Sequence, residues 1–382
     1  MHPRGTRRAL AVAVAAALSI GGLAGCGGGG GDNGTTSGGT STTGGGGASG
    51  TVALLLPENK TARYESDDRP IFTSALRRYC PDCKLIYSNA EQDAAKQQSQ
   101  AEAAITNGAD VLVLDPVDGK AAASIVTRAK QSDIGVVAYD RPIENSDVDF
   151  LITFDNRTVG RLQATALVDK LRSDGRTGSI VMINGDPADP NAAQFKAGAH
   201  SVLDEQTAIR IGKEYDTPGW GPDRAQTEMD QAITALGKNG FVGVYAANDG
   251  TGGGAIAAMK SAGIDPSTRP TTGQDAELAG IQRIVIGDQY MTVYKTYKQE
   301  ATQAAQLAVA LLRGETTSDL VNRQINNGQK DVPAVILTPV AVTRDNIRDT
   351  VVRDGLWTVQ EICTSAYQAG CARIGLTAEG QG

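Results

Sequence analysis

Short apolar runs that end in a polar residue recur along the chain. The run Gly135–Tyr139 does not alternate apolar with polar positions, as expected of a strand buried on both faces of a parallel sheet. Asp140 and Arg141 follow it directly. Similar runs end at Asp115, Asp155, Asn184, Asn248 and Asp275. Ligands of open α/β sheets bind beyond the carboxyl ends of the strands, so the pattern predicts a polar cleft built from strand ends.

Helical stretches separate these predicted strands. Helix Arg69–Tyr79 follows strand Val52–Leu56, and the alternation restarts after Asn156 with helix Val159–Leu171. Such alternation predicts right-handed βαβ units and parallel sheets. The chain has 382 residues, 40% of them hydrophobic, which is more than one core usually accommodates. The sequence therefore predicts an α/β fold of two similar lobes, each a parallel sheet flanked by helices.

Residues 1–26 have the composition of an export signal. Three arginines precede an apolar stretch at 9–20, which is too short for a comfortable membrane span. The stretch leads to Leu23-Ala24-Gly25-Cys26, which resembles the lipobox of bacterial lipoproteins and implies lipid on Cys26. An ordinary secretory signal with a chance cysteine is the alternative. Residues 27–50, rich in Gly, Ser and Thr, cannot offset the entropy of ordering a fold and are expected to be a tether.

Four cysteines lie in the part of the chain that would be exported, where disulfides persist. Local pairing costs the least loop-closure entropy, so we predict the disulfides Cys80–Cys83 and Cys363–Cys371. Cys80-Pro-Asp-Cys83 could also be a redox pair, but no second thioredoxin feature accompanies it.

Composition argues against several classes of function. The net charge of −7 and the lack of a long basic run disfavour nucleic acid as a partner. His2 would be lost with the signal, and His200 alone supports neither a histidine triad nor a zinc site. The stretch Asp186–Asn191 lacks the glycine and the glutamate of a calcium loop. We expect no metal and no cofactor.

The segment Gly250–Ala255 fits G-x-G-x-x-A, with Asp275 about 25 residues further on, which is close to a dinucleotide fingerprint. Such a motif usually occupies the first βα turn of a fold, whereas this one comes about two-thirds along the chain. Close approach of a helix N-terminus to the cleft is the simpler explanation for the glycines.

The polar groups of the predicted cleft suit a neutral polyol. A sugar hydroxyl both donates and accepts, and an aromatic ring can cover the apolar face of a sugar. Carboxylates and a guanidinium make the stronger, charge-assisted hydrogen bonds. The residues that offer such groups are Asp140, Arg141, Asp189, Asn191, Trp220, Asn248 and Asp275. Helix capping is the alternative role, which we prefer for Asp115 and Asp118 and consider equally good for Asp155 and Asp249.

Several motifs resemble, in order, those of the periplasmic D-xylose-binding protein family. They are Ala138-Tyr-Asp-Arg141, Phe154-Asp-Asn156, Asn248-Asp249, Gly273–Gly280, Met291–Lys295, Asn326–Pro333 and Asn346–Thr350. The resemblance covers about Val52 to Leu356. It implies a periplasmic binding protein of type I that serves an ABC sugar importer and clamps a monosaccharide, D-xylose first, between its lobes.

The resemblance also implies a set of sugar contacts. These are Arg63, Asp140 and Arg141 from the first lobe, Asp189, Asn191, Trp220, Asn248 and Asp275 from the second, and Lys295 beside the crossover. Tyr64, which we add to the set, replaces a tryptophan of the family, and Ser66-Asp67 stand where the family has a lysine. A related multi-sugar receptor carries acids there, so a receptor for glucose, galactose or arabinose is the alternative.

The lobes implied by the family are discontinuous in sequence. Residues 51–156 with about 291–328 would form the N-terminal lobe, and 157–290 with about 329–358 the C-terminal lobe, joined by a hinge of three crossings. Residues 359–382 form a tail without a counterpart in the resemblance.

The leading hypothesis is therefore a binding module and not an enzyme: a monomeric lipoprotein on the outer face of the cell membrane that presents sugar to an ABC permease. A nicotinamide-dependent sugar oxidoreductase that uses Gly250–Ala255 is a second hypothesis. A sugar-sensing regulator is a third, and it would need a helix-turn-helix ahead of Val52, where the glycine tract lies.

Overall fold

The computed structural model describes residues 49–316 and 318–377. The predicted signal segment, its Cys26 and nearly all of the predicted tether lie outside the described residues. In the described part of the chain, no helix is long and apolar enough to cross a membrane.

The first lobe is built on a seven-stranded sheet in the order β10-β11-β5-β4-β3-β1-β2. Its strands are β1 (Thr51–Leu56), β2 (Lys84–Asn89), β3 (Val111–Leu114), β4 (Gly135–Tyr139), β5 (Phe150–Phe154), β10 (Arg323–Asn326) and β11 (Asp331–Leu337). All neighbours are parallel except the antiparallel pair β10–β11. The helices of this lobe are α1 (Arg69–Tyr79), α2 (Ala94–Thr106), α3 (Ala123–Lys130) and α9 (Tyr297–Leu312). Apolar clusters cover both faces of the sheet, which explains the unbroken apolar runs.

The second lobe contains a parallel sheet in the order β7-β6-β8. Its strands are β6 (Gly178–Asn184), β7 (Ile209–Asp216) and β8 (Gly243–Ala246). Its helices are α4 (Asn156–Ser173), α5 (Pro190–Leu203), α6 (Pro222–Leu236), α7 (Asp249–Ser261) and α8 (Leu278–Ile286). Two apolar clusters cover the two faces of this sheet as well. The strand predicted to end at Asp275 does not form, because only a single bridge between Val244 and Thr271 joins this segment to β8.

Three crossings connect the two lobes, as the family fold implies. The chain leaves the first sheet after β5 and returns through β9 (Thr292–Tyr294) into α9. It leaves again after β11 and forms β12 (Val340–Val342), which pairs antiparallel with β9. The predicted boundary near residue 329 is wrong, because β11 pairs in parallel with β5 and so extends the first sheet to Leu337.

The C-terminal segment packs on the second lobe. After a π-helical turn at Arg348–Val352 come the short helices α10 (Val359–Ile362) and α11 (Gln368–Arg373). They share an apolar cluster with α8, to which Ile281, Ile284 and Val285 contribute. The structure contains both local disulfides, Cys80–Cys83 at the end of α1 and Cys363–Cys371 between α10 and α11.

Candidate functional site

The carboxyl ends of the strands of both lobes surround a small cavity, with a free volume of about 20 Å³. All ten side chains predicted to contact sugar lie in its wall: Arg63, Tyr64, Asp140, Arg141, Asp189, Asn191, Trp220, Asn248, Asp275 and Lys295. Thr61, Phe195 and Gln274, which sequence reasoning did not select, complete the wall. Residues far apart in sequence therefore meet at one place, as the strand-end pattern predicts.

Arg63 is the centre of a buried charged cluster in the first lobe. Its guanidinium donates to Asp68 through Nε at 2.7 Å, to Asp140 through Nη1 at 2.8 Å and to Glu300 through Nη2 at 2.7 Å. It also lies over the ring of Tyr297, 4.1 Å from the centroid. Arg63 is only 2% exposed, so these contacts hold one orientation of a long side chain. The cluster thus presents a pre-oriented guanidinium to the cleft.

The carboxylates around Arg63 differ in their electrostatics. Burial raises the pKa of Glu300 well above its ordinary value. Burial acts in the same direction on Asp140, but Lys295 and Arg63 hold the pKa of that carboxyl below its ordinary value. Asp140 is therefore an ionised acceptor at neutral pH, which is the state that binds hydroxyl donors most strongly.

Arg141 joins the two lobes. Its Nε lies 3.0 Å from Asp189 Oδ2 in the second lobe and 3.5 Å from Asp115 Oδ1 in the first. Its Nη1 donates to the Pro116 carbonyl and its Nη2 to the Tyr64 hydroxyl, each at 3.2 Å. The side chain is 2% exposed. The planar guanidinium of Arg141 can therefore bind hydroxyls of a ligand only in a set orientation.

The capping role predicted for Asp115 is wrong. Asp115 is fully buried, and neither of its carboxylate oxygens accepts a hydrogen bond from a protein donor. Burial raises its pKa well above its ordinary value, and Arg141 opposes that shift. Asp118 accepts from two backbone amides in the turn ahead of α3 and does not cap the helix, whereas Asp155 does cap α4.

Trp220 and α5 form the wall of the second lobe. Asp189 caps α5 by accepting from the amide of Asn191, and its other oxygen accepts from the Trp220 indole at 3.2 Å. Trp220 meets Phe195 edge to face, with ring centroids 6.4 Å apart. A Cβ at Gly185 would lie 2.0 Å from the indole, so glycine is needed for the ring to fit there. Asp189 therefore both caps α5 and lines the cavity.

Asn248 likewise has two roles. Its side chain accepts from the amide of Thr251 in a capping box at the start of α7, and it lines the cavity. Asp249 beside it is fully buried, and burial raises its pKa to about 7. Its oxygens accept from the Gln289 side chain, the Thr292 hydroxyl and the Glu277 amide, so its role is structural.

Several residues of the site have positive φ angles, which are unfavourable for residues with a Cβ. They are Asp140 (54°), Trp220 (53°), Asp275 (90°) and Ala276 (50°). Each such residue costs about 1–3 kcal/mol and persists only where its surroundings hold it. Strain of this kind clusters at ligand sites, where it aims side chains that regular structure would point elsewhere.

Contacts between the lobes join the two walls of the cleft. Lys295, in the second crossing, pairs with Asp275 at 3.1 Å and approaches Asp140 at 3.9 Å. Asn191 donates to Asp140 Oδ1 at 2.9 Å and accepts from Asn156 at 2.7 Å. The polar groups that would face a ligand therefore form ion pairs and hydrogen bonds with one another across the cleft. A polar ligand between the lobes would share or replace these contacts.

The glycines of Gly250–Ala255 serve helix packing. A Cβ at Gly254 would lie 2.2 Å from the Pro222 carbonyl of α6, and one at Gly252 would lie 3.0 Å from the Thr272 carbonyl. The N-terminus of α7 does approach the cleft through its cap Asn248, but the glycines themselves allow α7 to lie against α6 and residues 271–272.

Larger cavities lie on the surface of the described part of the chain, and two of them, of about 420 and 430 Å³, contact both lobes away from the ring of strand ends. The first lies between α1, α9 and residues 354–356, and the second between the β10–β11 hairpin and α5. Neither gathers buried charged side chains from both lobes, which is why we assign the site to the smaller cavity. Within the described ranges, no group of His, Cys, Asp and Glu side chains could hold a metal ion.

His200 lies on α5 outside the cleft. Partial burial would lower its pKa, but hydrogen bonds with Asp204 and Glu214 raise it above its ordinary value of 6.5. Its ring nitrogens lie 3.0 Å from Asp204 Oδ1 and 3.3 Å from Glu214 Oε1. The residue therefore belongs to a surface ion-pair group and not to the candidate site.

Comparison with protein families agrees with this architecture. Residues 52–316 match the model of the family described as periplasmic binding protein domain. The chain belongs to this family. This periplasmic binding protein is 38% identical to the D-xylose-binding periplasmic protein of Escherichia coli (strain K12) over 81% of the chain and 92% of that relative.

Two further proteins match the chain, one in sequence and one in structure. It is 32% identical to the multiple sugar-binding periplasmic receptor of Rhizobium radiobacter, over 82% of the chain and 92% of the receptor. A carbohydrate transporter solute binding protein from Chloroflexus aurantiacus, solved in complex with D-glucose, superposes with a TM-score of 0.74 at 30% identity, over 82% of the chain and 98% of that protein.

Proposed function

We propose that this periplasmic binding protein captures D-xylose between its lobes and delivers it to the membrane permease of an ABC importer. The observation that carries the proposal is the ring of buried carboxylates, guanidinium groups and an indole that both lobes contribute to one cavity. The 38% identity to a D-xylose-binding protein supports the choice of sugar.

The chemistry of the ring matches a neutral sugar. Asp140, Asp189 and Asp275 are acceptors for sugar hydroxyls, whereas Arg63 and Arg141 are donors. The site holds both signs of charge, so it does not favour an ionic ligand of one sign. Trp220 offers an aromatic ring for the apolar face of a pyranose.

A multi-sugar receptor is the second candidate. Tyr64 lines the cavity where the xylose-binding family has tryptophan. The Rhizobium radiobacter relative is a multiple sugar-binding receptor, and the Chloroflexus aurantiacus structure contains D-glucose. A site of this kind would bind glucose, galactose or arabinose besides xylose.

A panel of aldoses distinguishes the two candidates. We expect D-xylose to raise the unfolding temperature most, because ligand at 100 times Kd adds about 2.7 kcal/mol of stability. Titration calorimetry then measures Kd for the sugars that respond. Equal or tighter binding of D-glucose would favour the multi-sugar receptor, and no binding of any aldose would refute sugar capture. Incubation with NAD or NADP and D-xylose should give no change in absorbance at the wavelength of the reduced cofactor.

The location of the protein is a separate part of the proposal: export and anchoring by lipid on Cys26. Lipid on Cys26 is the anchor that the sequence suggests, so Cys26→Ser should move the protein from washed membranes to the soluble fraction. A serine in place of Cys363 and Cys371 is the matched control, because those cysteines lie in the folded second lobe. Undiminished recovery of Cys26→Ser in membranes would refute the anchor.

A further inference from the structure

The turn at residues 275–277 forms part of the cleft wall in the second lobe. Asp275 lines the cavity, and both Asp275 and Ala276 have positive φ angles, 90° and 50°. Residues with a Cβ keep such angles only where the surrounding structure holds them. The position of the Asp275 carboxylate therefore depends on whatever holds this turn.

Every backbone polar group from the amide of Asp275 to the amide of Glu277 has a partner. Segments next to the turn supply four of the contacts: Asp275 N to Val293 O (2.8 Å), Tyr297 Oη to Asp275 O (2.5 Å), Ala276 N to Thr292 Oγ1 (3.2 Å) and Glu277 N to Asp249 Oδ2 (2.9 Å). The fifth comes from the C-terminal segment. There the Trp357 indole Nε1 donates to the carbonyl of Ala276 at 2.8 Å.

Trp357 begins the segment 357–377, which we call the brace. The brace is held to α8 by four apolar side chains, each at most 3% exposed: Val359, Ile362, Cys371 and Leu376. Contact is close, since a Cβ at Gly370 would lie 2.8 Å from Val285 Cγ1. The Gln282 side chain donates to the Glu361 carbonyl at 3.1 Å, and the disulfide Cys363–Cys371 closes the segment on itself.

We propose that the brace positions the sugar-binding wall: Trp357 is a positioning residue that holds Ala276, and through it the carboxylate of Asp275, while the disulfide keeps the brace on α8. This inference rests on the proposed sugar-binding function. It adds a role for a segment beyond Leu356, where the resemblance to xylose-binding proteins ends.

The test compares matched variants of the full protein. Trp357→Phe removes the indole donor and keeps an aromatic ring in the apolar cluster. Gln282→Met is its control, because it removes a different hydrogen bond between the brace and α8, away from the turn. Replacing Cys363 and Cys371 by alanine opens the brace, and replacing Cys80 and Cys83 by alanine opens a disulfide at the end of α1.

Three quantities are measured for each variant: Kd for D-xylose, the unfolding temperature without sugar, and amide hydrogen exchange of peptides that cover residues 274–281. We expect Trp357→Phe to weaken D-xylose binding by roughly three- to tenfold, which is the loss of one hydrogen bond to a strained group. Exchange at Ala276 and Glu277 should rise. The Cys363/Cys371 variant should show both effects, and the two controls should keep the wild-type Kd and the wild-type exchange at the turn.

A purely structural role would lower the unfolding temperature and leave Kd unchanged. The proposal is therefore overturned if Trp357→Phe binds D-xylose with the wild-type Kd, or if Gln282→Met weakens binding as much. Failure of the wild type to bind any aldose would refute the proposed function instead. In that case amide exchange without sugar would still test the positioning role of the brace. Unchanged exchange at the turn in Trp357→Phe would overturn that role.

Discussion

Replacing Arg141 by alanine tests whether sugar is clamped between the lobes. The side chain is buried and contacts Asp189 of the second lobe as well as Asp115 and Tyr64 of the first. Its loss removes donors that face the cavity and also a contact that joins the lobes. Asp275→Ala tests the opposite wall of the cleft, which belongs to the second lobe. Lys295 loses its partner Asp275 in this variant but keeps Asp140 at 3.9 Å.

The expected loss follows from these contacts. A hydrogen bond to a charged group contributes about 1.5–3 kcal/mol net, so Kd for D-xylose should rise roughly ten- to a hundredfold in each variant. Arg141→Ala also leaves Asp115 and Asp189 buried without their cation, which costs about 3–5 kcal/mol of stability if both stay ionised. Burial raises the pKa of both carboxyls, and protonation would reduce that cost. The position of Arg141 at a strand end would by itself predict that Arg141→Ala loses no stability.

The assay is titration calorimetry with D-xylose at a temperature where each variant is folded by circular dichroism. Arg141→Lys keeps the charge without the planar fork and should bind with intermediate affinity. Arg353→Ala is the control, because Arg353 is 67% exposed and pairs with its neighbour Asp354. X-ray scattering should show compaction on adding sugar to the wild type and much less in Arg141→Ala. Wild-type affinity in folded Arg141→Ala would refute the clamp.

Three further outcomes are expected. Trp220→Ala should weaken D-xylose binding roughly tenfold through lost stacking, and an unchanged Kd would remove the indole from the site. The carboxylates beside His200 raise its pKa, so its stabilising effect is fully present below pH 6.5 and is lost as pH rises through the folded pKa. The excess unfolding temperature of wild type over His200→Gln should therefore shrink from pH 6 to 8, and a constant difference would contradict this. Gly254→Ala should destabilise by about 1–3 kcal/mol because its Cβ would meet a backbone carbonyl of α6, whereas Gly250→Ala, with its nearest neighbours at 3.5 Å, should not.

The order of apolar and polar residues was sufficient to predict most strands and the polar residues at their ends. A parallel strand buried on both faces needs an unbroken apolar run, and the run stops where the chain meets the solvent or a cleft. Asp140 and Asn248 were recognisable for this reason. Trp220 stood out because tryptophan is rare in this chain, with two in 382 residues.

Other parts of the site carried no local signal. Asp68 and Glu300 orient Arg63, yet Glu300 lies 237 residues away on α9, where an acidic residue in a first helical turn looks like an ordinary dipole partner. Asp115 resembled a cap because the sequence shows which residues follow a strand but not whether Arg141 lies beside them. The turn at Asp275 was predicted as a strand, since positive φ angles of residues other than glycine have no clear sequence pattern.

Tertiary structure also decided which lobe each late segment joins. The sequence predicted three crossings through its likeness to a family, but strand β11 could have extended either sheet, because its apolar run suits both. Pairing with β5 is a contact across nearly two hundred residues, which no local pattern of the sequence predicts. Local patterns thus determined the elements and their chemically active ends, whereas the partners of each buried charge depended on distances that only the folded chain establishes.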